Sequence, residues 1–176
     1  MKMSKKIAMI IAFKEFKDEE YFIPRFIFKQ NGCIVATVSS YRGMAIGVGG
    51  GETMVGLDFD NFNPLEFDAL VFVGGSGAAR FLDDEDIYRI LEEAKDMVIG
   101  AICIAPAILA KNGILKGKRA TVWSNNMDKG LIGILEENGA IYENSSVVVD
   151  EKIITANGPM AAKEFAEKVL EVLDND

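Results

Sequence analysis

Histidine is absent from all 176 residues, and that absence excludes more chemistry than any residue present. A cysteine or serine nucleophile is most often activated by a neighbouring imidazole. Here none can come from the chain or from a second copy of it. With no His and only two cysteines, Cys33 and Cys103, a zinc site of ordinary type is excluded too, and no cofactor is expected. Long apolar runs are also missing. Ile7–Phe13 and Ala69–Val73 fall far short of the ~20 residues that a bilayer span needs, so no membrane partner is expected. Positive charge is in the minority, with 19 Lys and Arg against 27 Asp and Glu, a net charge of -8. No basic stripe interleaves with aromatics, and nucleic acid is therefore not an expected partner.

The length suits one domain with a sizeable core. The segment Met1-Lys2-Met3-Ser4-Lys5-Lys6 is basic, but the apolar run behind it stops at Lys14 without a small-residue cleavage site. It reads as the approach to a first strand, with a cytoplasmic location as the default. Free thiols are then expected for both cysteines.

Near-continuous apolar runs at Lys6–Phe13, Phe67–Val73 and Met97–Ile102 predict strands buried on both faces. Cys33–Ser39 and Ala120–Trp123 predict two more strands. Helical spacing marks Asp18–Asn31, Asp84–Asp96, about Ile104–Lys111 and Met127–Asn138. Pro24 falls inside the first helix, as a kink or as its true start. Gly43–Asp58 reads as an added hairpin around Gly47-Val48-Gly49-Gly50-Gly51. Val147–Val149 and Ile153–Ala156 read as another, and Asn157-Gly158-Pro159 opens a C-terminal helix. Alternating strands and helices predict an α/β fold with a mainly parallel sheet, helices on both faces and an added hairpin. Its working site is expected beyond the carboxyl ends of the strands. The segment Phe13–Glu20, Gly74-Gly75 and Cys103 meet that criterion.

Cys103 sits where a strand turns into a helix, in Ala101-Ile102-Cys103-Ile104-Ala105-Pro106. Such a turn exposes a side chain at the sheet's end. The helix N-terminus is expected to lower the thiol pKa. Buried apolar packing is the other reading of Cys103. Gly74-Gly75 lets backbone approach a ligand, with N–H groups available to an oxyanion. One carboxylate of Glu15–Glu20 pointing at the thiol would be desolvated beside sulfur, and both effects would raise its pKa. Cys33 reads as core packing, and Trp123 as a pocket wall or core.

Five segments carry a family likeness, the ones just described among them. They are Glu20-Tyr21-Phe22-Ile23-Pro24; Phe67–Val71 with Gly74-Gly75; Ala101-Ile102-Cys103 with Pro106; Leu115–Thr121; and Val147–Asp150 through Gly158-Pro159. In this order they resemble the ThiJ/PfpI superfamily, which includes deglycases, a chaperone and intracellular peptidases. The resemblance implies a flavodoxin-like doubly wound sheet and a homodimer or higher homo-oligomer. It makes Cys103 the nucleophile, Glu20 the acid bonded to it, and the N–H groups of Gly75 and Ile104 the oxyanion donors. Gly74, Trp123, Asn157 and Pro159 are expected to line the pocket. The chain departs from the pattern where peptidase-like members have His after the nucleophile, since it has Ile104. Trp123 stands near the place of another His, and Lys17 where many members carry an acid.

Three functions follow. One is a slow glyoxalase or protein deglycase acting on a small carbonyl substrate through Cys103 and Glu20. Another is a redox sensor or chaperone for client proteins, in which Cys103 is oxidised. A peptidase of the PfpI type is the third, and the missing His counts against it. A divergent member with a relict, unusually apolar site is the remaining reading.

Overall fold

A computed structural model describes residues 3–176; Met1 and Lys2, the start of the basic N-terminal segment, lie outside the described residues. The strands and helices in chain order are β1 (Lys6–Ile10), β2 (Lys14–Phe16), α1 (Asp18–Gln30), β3 (Ile34–Ser39), β4 (Gly43–Gly47), β5 (Glu52–Val55) and β6 (Leu57–Asp58). Then come β7 (Ala69–Phe72), α2 (Glu85–Glu93), β8 (Val98–Ile102), α3 (Ala105–Lys111), β9 (Arg119–Ala120) and α4 (Gly130–Glu137). The chain closes with β10 (Ile141–Tyr142), β11 (Val147–Asp150), β12 (Ile153–Ala156) and α5 (Ala162–Asn175).

The main sheet runs β11-β12-β8-β7-β1-β3-β6. Every pairing is parallel except β11 with β12. Apolar runs explain its centre: every residue of β7 and of β8 is buried, and so is β1 after Lys6. One face is covered by α1 and α5, which pack together and bury Tyr21, Phe28, Phe165 and Val169. The other is covered by α2, α3 and α4 through Ile87, Ile90, Ile108 and Leu135. Helix α2 begins where the Asp84 side chain accepts the Ile87 N–H at 3.1 Å, a cap that satisfies one free donor. This is the doubly wound α/β arrangement that the alternating pattern predicts, with parallel strands ending on one edge.

Several elements differ from the sequence expectation. Helix α1 runs unbroken through Pro24, which is buried, so tertiary packing outweighs its local cost. Pro24 has no N–H to offer the Glu20 carbonyl four residues earlier. Only β4 and β5 make the added hairpin; Leu57-Asp58 leaves it and joins the main sheet beside β3. Residues Lys14–Phe16, read as loop, pair with β4 and extend the hairpin to three strands. The strand expected over Ala120–Trp123 shortens to Arg119–Ala120, since the Trp123 N–H donates to the Cys103 carbonyl at 2.9 Å instead. Helix α4 starts at Gly130 rather than Met127 because Asn125 caps a turn, its Oδ1 accepting the Met127 and Asp128 N–H groups. Pro159 begins a short 3-10 turn, and α5 itself begins at Ala162.

Candidate active site

Cys103 follows β8 directly and adopts φ +66°, a left-handed backbone that costs a non-glycine residue of the order of 1–2 kcal/mol. Two backbone hydrogen bonds hold it there. The Cys103 N–H donates to the Ala156 carbonyl at 2.9 Å, and its carbonyl accepts from Trp123. The turn therefore depends on β12 and on the segment after β9, which lie far from it in sequence. Cys103 as a residue is 8% exposed, and so mostly desolvated.

Glu20, in the first turn of α1, is fully buried. Its Oε2 accepts the Gly74 N–H at 2.9 Å. Its Oε1 is buried with no hydrogen-bond partner, and the carboxyl as a group interacts with the Cys103 thiol. Gly74 is the hub of this arrangement. A Cβ built there would stand 2.6 Å from both the Cys103 Cβ and Glu20 Oε2, so only glycine lets acid and thiol approach around it. Gly75 has φ +108°, and its Cβ would fall 2.5 Å from the Glu15 carbonyl oxygen and the Lys17 nitrogen. Glu15 itself is left-handed at φ +65°, and the Lys17 N–H donates to the Gly74 carbonyl at 3.0 Å. Strand β2 and the N-cap of α1 are thus pressed onto the loop after β7, which fixes the direction of the Gly75 N–H.

Burial pushes the Glu20 carboxyl from its ordinary 4.5 up to about 7, against hydrogen bonds from Cys103 and Gly74 and the charge of Lys17. This is the direction expected for a desolvated acid. For Cys103 the sequence expectation is overturned. Burial, followed by the Glu20 charge and hydrogen bond, pushes the thiol from 9.0 up to about 12. The N–H groups of Gly75 and Ile104 pull the other way, but α3 is short, at seven residues or about two turns, and its terminus is outweighed. The two groups titrate as a unit. Between about 7 and about 12 the pair carries one proton, which the Glu20 charge biases toward sulfur.

Of the residues read from sequence, Cys103, Glu20, Gly74, Gly75 and Ile104 come together. Trp123 is half-buried in the layer that contains Cys103, and its Cδ1 lies 3.7 Å from where a Gly158 Cβ would be. Asn157 and Pro159 are half-buried at the same edge, following Ala156; neither is among the groups acting on the sulfur or on Glu20. Cys33 stands apart at the entry to β3, half-buried. Sequence reasoning missed Asp18, whose carboxylate accepts the Gly49 and Gly51 N–H groups at 2.7 Å each. It clamps the glycine-rich hairpin loop to the first turn of α1, two residues from Glu20. An Asp opening a helix, with a poly-glycine loop downstream, was the available signal.

The sequence pattern of the DJ-1/PfpI family matches residues 5–172. An uncharacterised protein of Methanocaldococcus jannaschii is 38% identical over 97% of this chain and 83% of its own length. The deglycase PfpI of Pyrococcus furiosus is 31% identical over 86% of this chain and 89% of its own. A crystal structure of a ThiJ/PfpI domain protein from Brachyspira murdochii superposes with a TM-score of 0.91 at 31% identity, covering 99% of each chain. A left-handed cysteine after a central strand, facing a buried glutamate from α1, thus occurs in a chain that belongs to the DJ-1/PfpI family.

Proposed function

We propose that this protein consumes small reactive carbonyls, of the methylglyoxal type, through a Cys103–Glu20 pair without histidine. The observation that carries the reading is the direct contact of a buried carboxyl, titrating at about 7, with a thiol held protonated. A general base works best when its pKa lies near the working pH. Ionised Glu20 takes the thiol proton as sulfur adds to the aldehyde carbon, and the carbonyl π electrons move onto oxygen. The N–H groups of Gly75 and Ile104 face that oxygen, and the protonated carboxyl then supplies its proton, giving a neutral hemithioacetal. Glu20, ionised again, takes the proton from the former aldehyde carbon to give an enediol and returns it to the neighbouring carbon, while the hydroxyl proton passes from the first oxygen to the second. The thioester so formed is hydrolysed by water, which restores the thiol. Methylglyoxal plus water thereby becomes lactate, with no oxidant or reductant required. Deglycase-named relatives support the class of chemistry. Methylglyoxal loss and lactate formation by the protein, against Cys103→Ser at matched concentration, test it. Turnover that vanishes in the variant supports the proposal, and turnover unchanged in the variant removes Cys103 from it.

One observation favours a second reading as a redox sensor. Glu20 Oε1 is buried without a hydrogen-bond partner, and in its protonated form it is placed to donate to an oxidised sulfur. Peroxide would convert the thiol to sulfenic acid and release water. The thiol's raised pKa opposes this, because the thiolate is the reactive form. Homo-oligomerisation is supported by the hairpin's outer face, where Met44, Ile46 and Met54 are all exposed; light scattering of the purified protein checks it.

A further inference from the structure

The carboxyl edge of the sheet carries an opening whose lining includes neither Glu20 nor Cys103. The chain leaves β1 toward α1 on one face and leaves β7 toward α2 on the other. In open α/β sheets, ligands bind in the crevice outside the strand ends where the winding reverses in this way. A cavity of about 230 Å³ lies there, lined by Phe13 and Lys14 after β1, Tyr41 after β3, and Arg80 and Phe81 after β7.

Its charge sets it apart. Four other surface cavities each place at least one carboxylate beside their lysines. This one has two cations and no carboxylate, in a chain of net charge -8. Arg42, Arg89 and Arg119 each meet a carboxylate. Among the described residues, Lys14 and Arg80 have neither an ion pair nor a side-chain hydrogen bond. The walls are aromatic as well. Phe13 and Tyr41 stand edge to face, with centroids 5.6 Å apart at 78°. Phe81 is a buried floor, whereas Tyr41 remains 66% exposed.

We propose that this crevice binds a small organic anion, its planar body against Phe13 and Tyr41 and its terminal carboxylate or phosphate held by Lys14 and Arg80. A planar guanidinium suits either oxyanion, and bonds between ionised partners are the stronger kind. Aromatic rings supply flat contact area at low entropic cost. The cavity volume limits the ligand to about the size of a single ring. Nothing in this proposal depends on the carbonyl chemistry of Cys103.

The test is amide NMR on Cys103→Ser protein, which separates binding from turnover, titrated with phenyl phosphate, benzoate, benzyl alcohol and inorganic phosphate. Saturable shifts at Lys14, Tyr41, Gly77 and Arg80 are expected with phenyl phosphate or benzoate, at about millimolar affinity. The tighter of these two probes identifies the preferred oxyanion. Arg80→Gln and Lys14→Gln, both at exposed positions, should each weaken binding by about tenfold. Benzyl alcohol and inorganic phosphate, each with half of the recognition, should bind more weakly. The proposal is overturned if neither aromatic anion saturates by about 10 mM. Shifts confined to other surfaces, unchanged affinity in both variants, or equal binding of inorganic phosphate would also overturn it.

Discussion

Cys33 and Cys103 are both raised above 9.0, and burial is the first cause at each. At Cys33 the further causes are the charges of Asp174 and Asp68. Its N–H donates to the Phe28 carbonyl at 3.0 Å, and it is not among the left-handed residues. At Cys103 the further cause is one carboxyl in direct contact, the backbone is left-handed, and two N–H groups favour the thiolate. A raised thiol pKa is thus common to an ordinary half-buried cysteine and to one poised to react. What distinguishes the second is that the group holding its proton in place can also receive it.

Exchanging the two thiols for hydroxyls gives the largest contrast. Cys103→Ser should lower carbonyl turnover by about 100-fold or more, whereas Cys33→Ser should leave it within about twofold. Parallel lactate assays decide this, and an equal loss in both variants would erase the distinction. Gly75→Ala, which touches only the Cys103 side, should cost about 2–4 kcal/mol of stability. Its Cβ would meet backbone at 2.5 Å on a residue with positive φ, and urea unfolding measures the cost.

Glu20 makes a pH-dependent contribution that Cys33 cannot imitate near neutrality. Between 4.5 and about 7 the folded protein binds the Glu20 proton more tightly than the unfolded chain. The stability this confers is complete below 4.5 and is lost as pH rises through about 7, amounting to about 3 kcal/mol. The difference in unfolding free energy between wild type and Glu20→Gln should accordingly change with pH over that window and level off above it. A constant difference would mean that Glu20 does not titrate there. Asp174→Asn is the smallest perturbation. It should speed Cys33 alkylation about twofold through the lost charge while leaving Cys103 unaffected, as peptide mass mapping would show.

Much of this was legible in the residues, and the exceptions have physical causes. Strands β1, β7 and β8 announce themselves because burial on both faces demands unbroken apolar runs. Strand β2, with Lys14 and Glu15 exposed, has no such pattern and exists through its pairing with β4. Trp123 follows β9 in an apolar stretch, yet its N–H is claimed by Cys103, a contact that local sequence does not encode. That a carboxylate of Glu15–Glu20 could meet Cys103, with its pKa raised by desolvation, was legible from the residues, and that the carboxylate is Glu20 was legible only from the family resemblance. The sign of the Cys103 shift was not, because a helix terminus can be read from sequence while the depth of burial and the charge on Glu20 cannot.

The central claim is that Glu20 keeps the proton on Cys103 at rest. The most direct measurement is the pH dependence of Cys103 alkylation by iodoacetamide, resolved from Cys33 by peptide mass spectrometry, in wild type and Glu20→Gln. Glu20→Gln removes the charge that opposes the thiolate and replaces the carboxylate acceptor with an amide that can also donate to the sulfur, so the inflection should move to lower pH while carbonyl turnover falls. An inflection that stays in place, or moves upward, would contradict the account.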